Sequence, residues 1–244
     1  MGLEPIFAAV DPKTNTIYVT NDAADTVLVI SGRTGTVTAT IPVGSVPDGV
    51  AVDPKTNTIY VANSNSNTVS VISGRTNAVT ATIPLGRVPA GVAVDPKTST
   101  IYVTNETSGT VSVISGRTNT VTATIPGFAS PFGVAADPKT NTIYVADGDS
   151  STVPVISGRT NTVVADVSVG FGGTGIAVDP KTNTIYFTNR GADMAVISGR
   201  TNTVTATIPV GGGLFGVAAN PKTNTAYVAN PGNNTVDVLA PCPK

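Results

Sequence analysis

The chain has 244 residues, a formal net charge of −1 and 12% charged residues, against ~25% in ordinary soluble domains. Near-neutrality excludes a global field that steers a protein to nucleic acid or an anionic membrane surface, and no apolar run reaches the ~18 residues of a membrane span. Histidine is absent and cysteine occurs once, at Cys242, which excludes Ser–His dyads, Cys-based metal cages and an internal disulfide.

The N-terminal Met1-Gly2-Leu3-Glu4-Pro5 has no charged segment followed by an apolar one, so no signal peptide is expected in this chain. From there a single sentence repeats. Asp-Pro-Lys-Thr-Asn-Thr, or a near copy, begins at Asp11, Asp53, Asp95, Asp137, Asp179 and Asn220, at spacings of 42, 42, 42, 42 and 41 residues. A fixed period of this size marks a supersecondary unit that cannot bury its apolar faces alone and packs on its neighbours. The repeats start near residues 6, 48, 90, 132, 174 and 215, and their continuity predicts one domain over residues 1–244.

Within the second copy, Gly49-Val50-Ala51-Val52-Asp53 is a short apolar run stopped by Pro54. Thr58–Asn63 is β-branched and aromatic, Thr68-Val69-Ser70-Val71-Ile72 alternates, and residues 77–84 are half polar and end in Pro84. Each run is short and bounded by turn residues, with no helical period. The first three strands are expected to be buried on both faces and the fourth to be half exposed. Four antiparallel strands per ~40 residues, repeated six times, predict an all-β, six-bladed β-propeller. Proline at the end of the fourth strand suits an outer edge, where a missing N–H is harmless and deters edge pairing. At the far end Thr235 to Leu239 forms a third strand, and Ala240 to Lys244 is too short and too proline-rich for a fourth. The last blade is therefore expected to have three strands and an open edge at Val236-Asp237-Val238-Leu239.

The second strands carry Tyr18-Val19-Thr20-Asn21, Tyr60-Val61-Ala62-Asn63, Tyr102-Val103-Thr104-Asn105, Tyr144-Val145-Ala146-Asp147, Tyr186-Phe187-Thr188-Asn189 and Tyr227-Val228-Ala229-Asn230. This tetrapeptide resembles the one that names the YVTN β-propeller repeat family, and the resemblance covers nearly the whole chain. It implies the fold and leaves the function open. The repeat architecture is also similar to that of lyases of the virginiamycin B type, whose chemistry uses histidine with magnesium. A chain without histidine does not inherit that chemistry.

Loops of a propeller alternate between its two ends. The first-to-second loop (Asp-Pro-Lys-Thr-Asn) and the third-to-fourth loop (Ser-Gly-Arg-Thr-Asn) are nearly invariant among the copies and share one end. An Asp before Pro accepts hydrogen bonds from its own turn, which accounts for the repeated aspartates without a metal ring. Six lysines and five arginines stand against five aspartates there, a local sum of +6 in a chain of net charge −1. Head-to-tail stacking of a basic end on an acidic one is one form of self-association this predicts.

Variation collects at the other end. Asp22, Ser64, Glu106, Gly148, Arg190 and Pro231 begin the second-to-third loops, and Ile6, Asp48, Ala90, Phe132, Thr174 and Phe215 share a slot expected at the mouth of the central channel. All six tyrosines belong to the repeated framework, whereas none of the phenylalanines does. Phe187 is expected in the core. Phe128, Phe132, Phe171 and Phe215 fall at loops of the variable end, across from a sector bearing Asp22, Asp25, Asp48 and Arg87. Apolar beside charged surface at a channel mouth is the form of a site for a small molecule, peptide or protein. The candidate ligand-binding residues are Asp22, Asp48, Arg87, Glu106, Phe128, Phe132, Phe171, Arg190 and Phe215. No cofactor is expected, although Asp22, Asp25, Asp48, Glu106, Asp147 and Asp149 include carboxylates of the kind that hold Ca2+. Two functions stand. The first is a non-catalytic binding or assembly module of the cell surface or extracellular space, a setting the low charge, Thr/Asn-rich surface and lone cysteine suit. The second is a small-molecule enzyme of lyase, hydrolase or cyclase type using carboxylate and arginine groups.

Overall fold

The turns build the blade. In each Asp-Pro-Lys loop the aspartate carboxylate accepts the lysine N–H, at 2.8 Å for Asp11, Asp53, Asp95, Asp137 and Asp179. Asn220 makes the same bond at 3.0 Å. Asn15, Asn57, Asn141, Asn183 and Asn224 then close the turn in the left-handed region, with φ between 54° and 57°, where asparagine is better tolerated than a branched residue. The two repeated loops of a blade meet through a backbone bond, Gly32 N–H to the Asn15 carbonyl at 2.7 Å and Gly74 N–H to that of Asn57 at 2.9 Å.

A computed structural model describes residues 4–191 and 193–240; Cys242 lies outside them. The strands form an all-β six-bladed propeller, with five four-stranded blades and a three-stranded last one. They divide into two compact units, Met1–Pro126 and Gly127–Lys244. In the first unit, blade one is β1 (Pro5–Asp11), β2 (Thr16–Asn21), β3 (Thr26–Ser31) and β4 (Val37–Pro42). Blade two is β5 (Pro47–Asp53), β6 (Thr58–Asn63), β7 (Thr68–Ser73) and β8 (Ala78–Pro84). Blade three is β9 (Pro89–Asp95), β10 (Thr100–Asn105), β11 (Thr110–Ser115) and β12 (Thr120–Pro126). In the second unit, blade four is β13 (Pro131–Asp137), β14 (Thr142–Asp147), β15 (Thr152–Ser157) and β16 (Thr162–Ser168). Blade five is β17 (Gly173–Asp179), β18 (Thr184–Asn189), β19 (Asp193–Ser198) and β20 (Thr203–Pro209), and blade six is β21 (Val217–Asn220), β22 (Thr225–Asn230) and β23 (Thr235–Leu239). Every pairing is antiparallel and sequential, and the third-to-fourth pair carries a register shift, as between Val71 and Ile72.

Blades pack face to face inside each unit. Tyr18, Val27, Val29 and Ile41 of blade one bury against Val50, Ile59, Val61 and Ile72 of blade two. Tyr60, Val69, Val71 and Ile83 meet Ile101, Val103 and Ile114 of blade three in the same way. In the second unit Tyr144, Val153, Val155 and Val167 pack on Ile176, Ile185, Phe187 and Ile197; Phe187 is core, as expected. One expectation fails. The second and third strands of blades one to five are largely buried, but the first is only partly so, with the pattern BiiiiiB in β13 and eeieieB in β1. The reason is its position as the edge of its sheet, with a partner on one side only.

Candidate functional site

The variable end is organised by one hydrogen bond per blade. The residue that opens each second-to-third loop donates its N–H to the preceding interblade loop: Asp22 to Glu4, Ser64 to Val46, Glu106 to Val88, Gly148 to Ser130 and Arg190 to Gly172, at 2.8–3.1 Å. Pro231, at the same place in blade six, has no N–H to give. The accepting residues Glu4, Val46, Val88 and Gly172 sit at φ of 56°, 57°, 54° and 88°. For the β-branched Val46 and Val88 this is a strained backbone, a feature that collects at functional sites. Asp25 supports the first of these bends by accepting the Val46 N–H at 2.8 Å, and Asn67 does the same for Val88 at 2.9 Å. Sequence reasoning missed this device; its only trace is the residue–Pro pair before each slot in blades one to four.

In the first unit this geometry gathers acid. Asp48 is half-buried at the start of β5. Burial first, and then the negative charges of Asp22 and Glu106, push its carboxyl up to about 6. Carboxylates of the blades on either side therefore act on Asp48. Arg87 is exposed in the next interblade loop, with its N–H bonded to the Ser108 hydroxyl at 2.7 Å.

In the second unit the same slot gathers aromatic surface. Phe132 and Phe215 meet edge to face, ring centroids 5.9 Å apart and planes at 65°. Between them in the chain, Thr174 is buried and donates its hydroxyl to the Leu214 carbonyl at 3.1 Å. Phe171 stands out at 65% exposure, between Gly170 and Gly172 at φ of 103° and 88°. The aliphatic stem of the exposed Arg190 lies against the Gly172 turn. Phe128, by contrast, is buried.

The remaining acids differ in their tasks. Asp147 is buried and spends both oxygens on the N–H groups of Ala129 and Ser130, at 2.9 and 2.6 Å. Asp25 is committed to Val46, and Asp149 is exposed. Among the described residues no group of three or more acidic or cysteine side chains is arranged to hold a metal ion.

Radial repetition of antiparallel blades, with a constant loop pair on one side and an individual one on the other, defines the molecule as a β-propeller repeat protein. It belongs to the YNCE-like beta-propeller family, whose model matches residues 50–239; the tetrapeptides of the second strands carry this YVTN-type signature. A search of curated proteins finds no match. Among solved structures, Kuenenia stuttgartiensis hydrazine synthase is similar in fold, with a TM-score of 0.69 and 19% identity over 98% of this chain and 96% of that one.

Proposed function

We propose that the protein is a non-catalytic binding module of the cell surface or extracellular space, which captures a cationic group of a small molecule, peptide or protein at its variable loops. The supporting observation is the action of the Asp22 and Glu106 charges on Asp48. An acid whose ionisation is opposed by two neighbouring acids is relieved by a positive charge brought among them. Phe132, Phe171 and Phe215 offer apolar surface on the other unit. Calorimetric titration with an arginine-rich tetrapeptide, and with its glutamate counterpart as control, tests this reading. Binding of the basic peptide alone, weakened in graded steps by Asp22→Asn, Asp48→Asn and Glu106→Gln, is the expected result. Equal binding of both peptides, or none, would sink it.

The raised carboxyl of Asp48 also favours a second reading, in which it serves as a general base of a small-molecule lyase, hydrolase or cyclase, with Arg87 of the same unit holding an anionic group of the substrate. Turnover lost steeply at Asp48→Asn alone, with affinity retained, separates that reading from the first.

A further inference from the structure

In blades one, two, three and five the bulge of the fourth strand holds a threonine. Thr38, Thr80, Thr122 and Thr205 each donate their hydroxyl to a third-strand carbonyl, those of Val29, Val71, Val113 and Val196, at 3.1–3.2 Å. Blade four has Val164 at this place, opposite the register shift between Val155 and Ile156. Valine trades the hydroxyl for a methyl group and so forgoes the bond, yet its side chain is 59% exposed. The blade does not need this exchange, since four copies fold with threonine, and the core does not gain from it. Its effect falls on the surface beside it.

That surface is a cleft. Between blades four and five, inside the second unit, a cavity of 160 Å³ opens among the constant loops, with Val164, Arg159, Asn141 and Asn202 in its lining. At about 30 Å³ per water this is the volume of about five waters, enough for a compact organic molecule. Its polar lining consists of donors. Arg159 is exposed and charged at any relevant pH. Asn141 and Asn202, at φ of 55° and 53°, bury their Oδ1 atoms without a hydrogen-bond partner among the described residues. Both residues are only half-buried, so the amide NH2 is the edge they turn to the cleft. No acidic residue belongs to the lining. Asp137, the acid of the adjoining turn, is 1% exposed and accepts the Lys139 N–H. Lys139 and Arg200, chain neighbours of the lining residues Thr140 and Gly199, add two exposed cations. Positive charge and N–H donors without a carboxylate among them favour an oxyanion, and Val164 adds an apolar wall.

We propose that this cleft binds a small organic anion, a carboxylate or phosphate monoester on a short apolar chain. Arg159 and the amides of Asn141 and Asn202 take the oxyanion, and Val164 takes the chain. The other clefts of the repeat share the arginine and the asparagines but present a threonine in place of the valine, which confines the site to blade four. It is built from constant loops and is independent of any ligand at the variable ones.

Titration of the 15N-labelled chain with isovalerate and with isobutyl phosphate, followed by NMR, tests the proposal; isobutanol is the neutral counterpart. At least one anion should shift amide signals of blades four and five with a saturable curve, and which one does so names the oxyanion. Arg159→Gln should weaken binding roughly tenfold, as loss of a charged hydrogen bond does. Asn202→Gly, which removes the amide and keeps the left-handed backbone, should also weaken it, and Val164→Thr should weaken it several-fold. Arg75→Gln, the same change in blade two, should leave it intact. The dispersion of the amide spectrum checks that each variant is folded. Absence of saturation by either anion through the millimolar range overturns the proposal, as does isobutanol binding equally well. Loss at Arg75→Gln equal to that at Arg159→Gln would mean diffuse attraction to the basic loops and overturns it too. So does affinity unchanged in Val164→Thr, or in both Arg159→Gln and Asn202→Gly.

Discussion

Asp48 occupies a slot where the other blades carry Ile6, Ala90, Phe132, Thr174 and Phe215, so the repeat does not need its charge. The fold works against that charge, since its carboxyl rises from 3.8 to about 6 through burial and through Asp22 and Glu106. A folded value above the unfolded one gives stability that is complete below the unfolded value and is lost as pH rises through the folded one. The two-unit difference corresponds to a cost of about 3 kcal/mol once the group is ionised. Asp48→Asn should therefore raise the urea-unfolding free energy at about pH 8 by up to that amount and lose its advantage near pH 4. A gain independent of pH would refute the carboxylate origin of the strain. Tyr144 tests polarity rather than charge. Its ring is fully buried and its hydroxyl has no hydrogen-bond partner among the described residues. Removal of an unpaired buried hydroxyl relieves its desolvation, so Tyr144→Phe should be neutral or stabilising by about 1 kcal/mol in the same assay. Destabilisation beyond ~1 kcal/mol would show instead that the hydroxyl is bonded in solution.

At the scale of the blade, two glycines of the same turn family should respond in opposite ways. Gly35 lies at φ 67° with nothing within 4 Å of an added methyl, and the other copies have asparagine there, as at Asn77 with φ 51°. Gly35→Asn keeps the left-handed backbone and restricts the unfolded chain, for a gain of a few tenths to about 1 kcal/mol. Gly74 has an ordinary φ but no room, because a methyl group would press on Asn57 and on the buried Tyr18 hydroxyl. Gly74→Ala should cost about 1–3 kcal/mol, and a thermal shift of the two variants in the same direction would contradict this account. Much of the blade was legible in the sequence, because Thr-Ile-Tyr-Val and Thr-Val-Ser-Val fix strands by local pattern and Asp-Pro-Lys-Thr-Asn fixes turns by local hydrogen bonds. What the pattern could not carry was context. The residues of β5 and β6 are equally apolar, yet only β6 has partners on both sides. Phe128 and Phe171 look alike in the sequence, but Phe128 is buried and Phe171 stands in solvent. Asp147 takes the place that Asn105 has in blade three, and only the structure shows its carboxylate consumed by two backbone N–H groups.

For the molecule as a whole, the repeated loops hide their acids and show their bases. Asp11, Asp53, Asp95, Asp137 and Asp179 are at most 2% exposed, while the six lysines and five arginines of the same loops are all exposed. The cationic surface is therefore stronger than a count of formal charges suggests. Self-association by stacking of these basic loops on acidic ones would depend on unscreened charge and fade once the Debye length falls to about 3 Å near 1 M salt. Light scattering tests it: a weight-average mass above that of one chain in dilute buffer, falling to that of one chain near about 1 M sodium chloride, is the expected outcome. A mass above one chain that holds in salt would refute stacking, whereas one that falls makes the exposed Lys13, Lys55 and Lys97 the first residues to replace.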